Sequence, residues 1–334
     1  MTSLLRTALP VLAVLVIAGL TGISTAHAER LTISTWGSPN HYQVSQFVPK
    51  FEELLKEKSD GEIRPRSFAG GEMVKQQFVA TAIPQGTIDV SLTTLDNWSG
   101  HIPEVSILAS PLWTRSIQWT RDNLKPGNPI FDYFNEKLRS QGAVMLAMFD
   151  IGPPVISATF PVKKPSDFEG KSVRVYSKGA GEVIQALGAA PTIMGVGDVY
   201  SGLQRGTVDA AMGGLGGAVG LKHHEVTDFL LDQNGVLGTL IHAYVMNKEK
   251  FESLSPELQK AVMESAQEAR DSMQQFAIDE KSRLMNVIRD HGNEIVSIEQ
   301  DSEDWKTWEN ALAPYTQKSR QQYPAELVQM IEGK

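Results

Sequence analysis

The sequence predicts an α/β protein of two lobes, each built on its own parallel or mixed sheet under a cover of helices, with one long helix bracing both. Three observations lead there. The 334 residues are 41% hydrophobic and 21% charged, an ordinary globular composition on a length that suits about two domains. A strand, turn, helix, strand pattern occurs twice. A helical stretch near the C-terminus also runs further than one lobe is wide.

In chain order, residues 1–28 read as a targeting segment. Arg6 precedes an apolar stretch from Ala8 to Leu20, and Ala26-His27-Ala28 places small residues where a signal peptidase reads them. With Pro10 inside it, that stretch falls short of the roughly 20 residues needed to span a bilayer, so cleavage after Ala28 and export are expected. An exported chain without cysteine suits a bacterial periplasm, where stray thiols are oxidised. Residues 29–150 form lobe one: Leu31–Thr35 as a strand, then a helix from Gln43 to Lys58 with Phe47, Phe51, Leu54 and Leu55 on one face, and Val144–Phe149 as a buried strand. Gly152-Pro153-Pro154 breaks regular structure, and residues 151–239 form lobe two. Gly238–Met246 reads as a returning strand, after which about 240–334 completes lobe one. That segment includes a helix over 256–291, opened by Ser255 as N-cap and Pro256, and stopped by Gly292. At 1.5 Å per residue this helix extends about 54 Å, so its second half is expected to pack across both lobes.

The repeat is carried by two pairs of segments. Gly61-Glu-Ile-Arg-Pro-Arg-Ser-Phe-Ala-Gly-Gly-Glu72 is echoed by Gly170-Lys-Ser-Val-Arg-Val-Tyr-Ser-Lys-Gly-Ala-Gly-Glu182, and Gln85-Gly-Thr-Ile-Asp-Val90 by Arg205-Gly-Thr-Val-Asp-Ala210. In each copy a short strand runs into a glycine turn and a helical stretch (Met73–Ile83; Val183–Leu187 and Val199–Leu203). A glycine stop and a strand carrying Asp follow.

The chemistry is defined largely by what is missing. A formal charge of −8 offers nothing to a polyphosphate backbone, so no nucleic-acid partner is expected. Zero cysteines excludes disulfides, thiolate zinc sites and cysteine nucleophiles. There is no G-x-S-x-G, G-x-x-x-x-G-K, H-E-x-x-H or complete G-x-G-x-x-G, so no cofactor and no metal are expected. His223-His224-Glu225 reads as a solvated face beside Lys222 and Asp228. Arg174 is more informative. It ends a strand with Val173 and Val175 facing the other way, beside a glycine-rich helix start, and so offers a planar two-donor fork plus free backbone N–H groups to a carboxylate. The residues alone leave two readings, a solvent-exposed strand arginine, marginally the better, and an anion site. Other candidates at predicted strand ends are Trp36, Asn40, His41, Glu72, Asn97, Trp98, Asp150 and Tyr176, with Ser177 beside the last.

Several of these stretches together resemble a family. Lys164-Pro-Ser-Asp-Phe-Glu-Gly-Lys-Ser-Val-Arg-Val175, Gly179-Ala-Gly-Glu-Val183, Leu187-Gly-Ala-Ala-Pro191 and Asp198-Val-Tyr-Ser-Gly-Leu-Gln-Arg-Gly-Thr-Val-Asp209 resemble the central region of the DctP-like substrate-binding subunits of TRAP transporters. Ala69-Gly-Gly-Glu72, Gln85–Asp89 and the helix start at Ser255 extend the resemblance over nearly the whole exported chain. It implies the two-lobed periplasmic binding protein fold, a small organic acid trapped between the lobes, delivery to integral membrane permease subunits, a monomer, and no covalent chemistry. Arg174 falls on the family's carboxylate-binding arginine, and the Gly-Glu-Val turn is closest to the branch binding 2-oxo acids.

The departures carry expectations of their own. Gly152-Pro153-Pro154 stands where many members have a second arginine, so the ligand is expected to be a monocarboxylate. Met212 and Gly213 replace residues that elsewhere coordinate ligand or a cation, and Val196 replaces an aromatic contact, which predicts a roomy, apolar tail pocket walled by Trp36, Trp98 or Phe149. Arg174 is expected to face an open, wet cleft and to contribute little to folding. Two competing readings are a periplasmic hydrolase or isomerase using Glu72, Asp150 or His41 as acid and base, and the binding protein of an ATP-driven importer.

Overall fold

The computed structural model describes residues 29–113 and 115–333, so the targeting segment and its cleavage point lie outside the described residues. Among the described residues eleven strands form two sheets. β1 (Glu29–Ser34), β2 (Ile63–Phe68), β3 (Val90–Thr94), β4 (Ala143–Phe149) and β10 (His242–Asn247) make the first, in the order β2-β1-β3-β10-β4. β5 (Val155–Ala158), β6 (Ser172–Val175), β7 (Ala190–Ile193), β8 (Ala210–Gly213), β9 (Phe229–Asp232) and β11 (Glu294–Ser297) make the second, in the order β11-β9-β5-β8-β6-β7. Both are mixed. β1 pairs parallel with β2 and β3 while β10 runs antiparallel between β3 and β4; β6 pairs parallel with β7 and β8 while β5 runs antiparallel to β8 and β9. All six residues of β10 are buried, as a strand inserted mid-sheet must be.

The repeat has a common physical cause. In lobe one the Asp89 carboxylate accepts from the Thr32 N–H at 2.7 Å, and the Asp89 N–H donates to the Thr32 carbonyl. In lobe two Asp209 does the same with Ser172, at 2.8 Å for the carboxylate. Each Gly-Thr-aliphatic-Asp segment thus ties the entry of one parallel strand to its neighbour, while Gly86 and Gly206 take the left-handed φ of +67° that ends the preceding helix. The intervening helices differ. Where Met73–Ile83 was expected to be helical, the chain forms a single 3₁₀ turn at Gln76–Phe78 and a short helix Val79–Ala82, and Met73 and Phe78 remain exposed.

The long helix spans Pro256–His291, with the Ser255 side chain accepting from the Leu258 N–H and Gly292 closing the end at φ +107°. Val262, Ala266, Ala269 and Met273 pack with Phe47, Phe51 and Leu55 of the helix Phe47–Lys58. The same apolar cluster takes in Val155, Leu215 and Leu230 of lobe two, so the helix braces both lobes. β10 and the long helix join lobe one, but a later stretch departs from the expectation that about 240–334 completes it. β11 pairs with β9 of the second sheet, and the helix Glu303–Gln322 buries Trp305, Trp308 and Leu312 against lobe two's core. The last helix, Ala325–Glu332, then returns to lobe one through Leu327 and Ile331. Short strands and helices at the C-terminus carry too little periodicity to say which apolar face they cover. Among the described residues no helix is long and apolar enough to cross a membrane.

Candidate functional site between the lobes

The carboxyl ends of β1 and β3 in one sheet face those of β6 and β8 in the other, the place where open α/β sheets hold ligands. A cavity of about 40 Å³ lies between them. A single water needs about 10–15 Å³ on that measure, so the space takes several water-sized groups. Lobe one contributes Trp36, His41, Gln43, Gln76, Thr94 and His242; lobe two contributes Arg174, Tyr176, Val196, Gly213 and His223, with Ile151 and Leu240 from the two crossings.

Arg174 is 3% exposed. Its Nε and Nη2 donate to the Met194 carbonyl at 3.0 and 2.9 Å, and its Nη1 donates to the Met212 carbonyl at 2.9 Å. A guanidinium carries five N–H donors, so one on Nη1 and one on Nη2 remain. Burial pulls its pKa down to about 10, opposed by a charge interaction with the Tyr176 hydroxyl. This is a buried cation with no described carboxylate at ion-pair distance. Arg174 therefore does not face an open, wet cleft. It ties the end of β6 to the chain after β7 and to β8, which makes it part of lobe two's structure as well as of the cavity.

The remaining polar lining is neutral, and several of its groups are unpartnered. Trp36 Nε1, His41 Nδ1, both amide atoms of Gln43, His223 Nε2 and His242 Nδ1 are buried without a hydrogen-bond partner. Burial lowers the pKa of His41 to about 4, of His223 to about 4 and of His242 to about 3; Arg174 adds to the shift at His223, and His41 to that at His242. All three rings are neutral at pH 7. His242 is held between Trp36 and Phe149, with ring centroids 6.1 and 5.6 Å away. Gln76 is engaged, donating to the Thr94 hydroxyl at 2.9 Å.

The structure brings Trp36, His41, Arg174, Tyr176, Val196 and Gly213 together and places the other candidates elsewhere. Asn40 and Glu72 are exposed. Trp98 is wholly buried in lobe one's core, its indole donating to Thr93, and Phe149 stands behind His242 instead of walling the cavity. Asn97 is half-buried away from the cavity lining. Ser177 is the N-cap of the helix Lys178–Ala186, accepting from Ala180. The Met212 side chain is buried in lobe two and only its carbonyl reaches Arg174. Asp150 is 1% exposed at the first crossing, where its carboxylate accepts from the Gly152 N–H. The backbone N–H groups expected to serve a carboxylate are spent, since the Gly179 N–H donates to Asp96 Oδ2 of lobe one at 2.9 Å. His223 was read as part of a solvated face; it is 6% exposed and lines the cavity. The exposed surface of the pocket is mainly apolar, with Val196 and Gly213 in its lining, but the space is small where a roomy tail pocket is expected. Sequence reading missed Gln43, Gln76, Thr94, His223 and His242. For His242 a signal existed, because a strand entering antiparallel beside β3 begins at that strand's carboxyl end, opposite Thr94.

This two-lobed α/β chain with an inter-lobe cavity at strand carboxyl ends is matched by one family over residues 33–322, the DctP family of bacterial extracellular solute-binding proteins, family 7. The chain belongs to that family. This DctP-family chain is 28% identical over 287 residues to the 2,3-diketo-L-gulonate-binding periplasmic protein of Escherichia coli, covering 85% of this chain and 86% of that one. It is 23% identical over 289 residues to the C4-dicarboxylate-binding periplasmic protein DctP of Rhodobacter capsulatus, covering 85% and 84%. Its fold is that of the TRAP periplasmic solute-binding protein of Sulfitobacter sp. NAS-14.1 solved with β-D-galacturonate (TM-score 0.82, 21% identity, 92% of this chain and 100% of that one). It also superposes on a Bordetella pertussis solute receptor solved with pyroglutamic acid (TM-score 0.81, 18% identity, 92% and 100%). The DctP family resemblance expected from the central motifs is thereby shown, together with the two-lobed fold.

Proposed function

We propose that this TRAP solute-binding protein captures a small hydroxy- or oxo-carboxylic acid bearing one carboxylate and presents it, unaltered, to the membrane subunits of its transporter. One observation carries the reading: Arg174 is a buried guanidinium with two free N–H donors and no carboxylate at ion-pair distance among the described residues, in a cavity where Trp36, Gln43 and three neutral histidines present unpartnered polar atoms. A carboxylate answers the two free N–H donors with a charge-assisted fork. Hydroxyl or keto oxygens answer Trp36, Gln43 and the imidazoles, each of which otherwise costs about 1–3 kcal/mol as a buried polar group without a partner. A second carboxylate would have no cation to meet, because the three histidines are neutral and the first crossing supplies Gly152, Pro153 and Pro154. The named ligands of its relatives, diketogulonate, galacturonate and pyroglutamate among them, support an oxygen-rich acid; the dicarboxylate-binding relative does not carry over for want of the second cation.

The test is a thermal-shift screen of organic acids followed by calorimetric titration of the hits, with the recovered acid checked by NMR. A cognate acid at 100 times its Kd stabilises the native state by about 2.7 kcal/mol. Hydroxylated monocarboxylates are expected to outrank both their deoxygenated analogues and succinate or malate, and to be recovered unchanged. Tighter binding of a dicarboxylate than of every monocarboxylate, or conversion of the acid, overturns the reading.

A further inference from the structure

Two helical glycines of lobe two lie so close to lobe one that a side chain would meet it, and neither is there for its backbone. A Cβ at Gly216 would lie 1.8 Å from Cε1 of Tyr42, and a Cβ at Gly179 would lie 2.9 Å from Asp96 Oδ2 and 3.3 Å from the Ala109 side chain. Both residues sit in helices, Leu215–Gly220 and Lys178–Ala186, at backbone angles that any residue adopts. Glycine in a helix is less favourable than alanine. What requires it here is the opposite lobe occupying the space of a side chain.

Neither contact can yield easily. The Tyr42 ring is packed between His41, at 5.4 Å with an interplanar angle of 28°, and Phe276 of the long helix, at 6.2 Å. Asp96 is 4% exposed, and Ser106 donates to its other carboxylate oxygen while the Gly179 N–H donates to Oδ2. One contact borders the cavity and the other lies a few residues along the chain from a lining residue. His41, stacked on Tyr42, lines it, as does Gly217, the residue after Gly216; Tyr176 lines it two residues before the helix that carries Gly179.

We infer that Gly179 and Gly216 are positioning residues that set how far the lobes close, and so govern ligand affinity without touching the ligand. The inference rests on the reading of the cavity as an acid-binding site. A methyl group at either position props the lobes apart. The closed state is then penalised while each lobe, taken alone, is left intact or slightly favoured by the better helix former.

The experiment uses the absence of cysteine in the chain. Phe78→Cys on lobe one and Ile193→Cys on lobe two, 58% and 69% exposed, carry a fluorophore pair that reports the lobe separation. Gly179→Ala and Gly216→Ala are compared with Gly220→Ala, which lies on the same helix as Gly216 with open space at its Cβ. The probes are D-galacturonate, D-glucuronate, pyroglutamate and lactate. Closure by the acid that acts on the unsubstituted protein should need at least tenfold more acid in the first two variants and no more in the control, with ligand-free melting temperatures not lowered. Closure at the same concentration, or ligand-free melting several degrees lower, overturns the inference. If no acid shortens the separation in the unsubstituted protein, the acid-binding reading fails instead. The ligand-free separation then decides the glycines: longer in Gly179→Ala and Gly216→Ala than in Gly220→Ala supports them, equal overturns them.

Discussion

Nε and Nη2 of Arg174 both donate to the carbonyl of Met194 and Nη1 donates to that of Met212, so one N–H on each Nη is left for the cavity. The residue therefore does two jobs that a single substitution removes together. Arg174→Ala is expected to weaken acid binding by about 3–5 kcal/mol, because the carboxylate it would face stays buried without a counter-charge. It is also expected to lower stability by about 1–3 kcal/mol, since the Met194 and Met212 carbonyls lose their donors. Calorimetric titration reads the first effect and denaturant melts the second.

Arg174→Lys separates charge from geometry. An ammonium on a flexible stem lacks the planar fork that joins the two carbonyls while presenting donors to the cavity. Binding should fall at least about tenfold, or about 1.4 kcal/mol. Affinity equal to the unsubstituted protein would show that charge alone suffices.

Gln43 is fully buried with both amide atoms unpartnered. Gln43→Leu, of similar volume, is expected to raise ligand-free stability by about 1–2 kcal/mol as the cost of burying a bare amide disappears. It should at the same time weaken hydroxylated acids more than their deoxygenated analogues. Thermal melts with and without acid read both sides of this exchange.

His242 is neutral in the folded state because burial holds its pKa at about 3, against about 6.5 unfolded. The unfolded chain therefore takes up the proton first as pH falls, so the stability tied to the neutral ring is complete above about pH 6.5 and is lost toward the folded pKa. His41 and His223 act in the same direction. In His242→Gln the stability lost between pH 7 and pH 4 should be smaller than in the unsubstituted protein by up to about 3 kcal/mol. Parallel pH-melting profiles would contradict this.

Asp150 has the opposite sign. Burial raises its carboxyl to about 7, against 3.8 as a model value, with the Gly152 N–H and Thr120 hydroxyl pulling the other way. The folded state holds this proton more tightly, so the associated stability is complete below about pH 4 and is lost as pH rises through 7, at about 1.4 kcal/mol per unit. Asp150→Asn keeps an acceptor for Gly152 without the charge. Its melting temperature should rise relative to the unsubstituted protein from pH 5 to pH 8, and a constant difference would place the carboxyl in a solvated setting.

Much of the fold was legible because its signals are local. Ser255, Pro256 and Gly292 bound the long helix by satisfying helix ends within a few residues, and the apolar spacing of Phe47, Phe51 and Leu55 marks a buried helix face. The paired Asp89 and Asp209 segments were visible as a repeat because each does the same strand-tying task with a neighbour of the same type. The strand order was not legible in the same way. Nothing near Glu294–Ser297 says that this strand pairs with β9 in lobe two, since pairing partners are set by which edge is free in space.

The sequence by itself determined two α/β lobes, a crossing at Gly152, a bracing helix and an arginine at the end of a strand, because propensity, capping and period act over a few residues. Only the tertiary structure decided what surrounds that arginine. It set Gln43, His223 and His242 around the cavity, moved Trp98 into a core and Phe149 behind an imidazole, and spent the Gly179 N–H on Asp96 across the cleft. Those outcomes depend on how two lobes from distant stretches of chain meet. Burial, which alone makes a histidine neutral or leaves an amide without a partner, is a property of that meeting and of no segment taken alone.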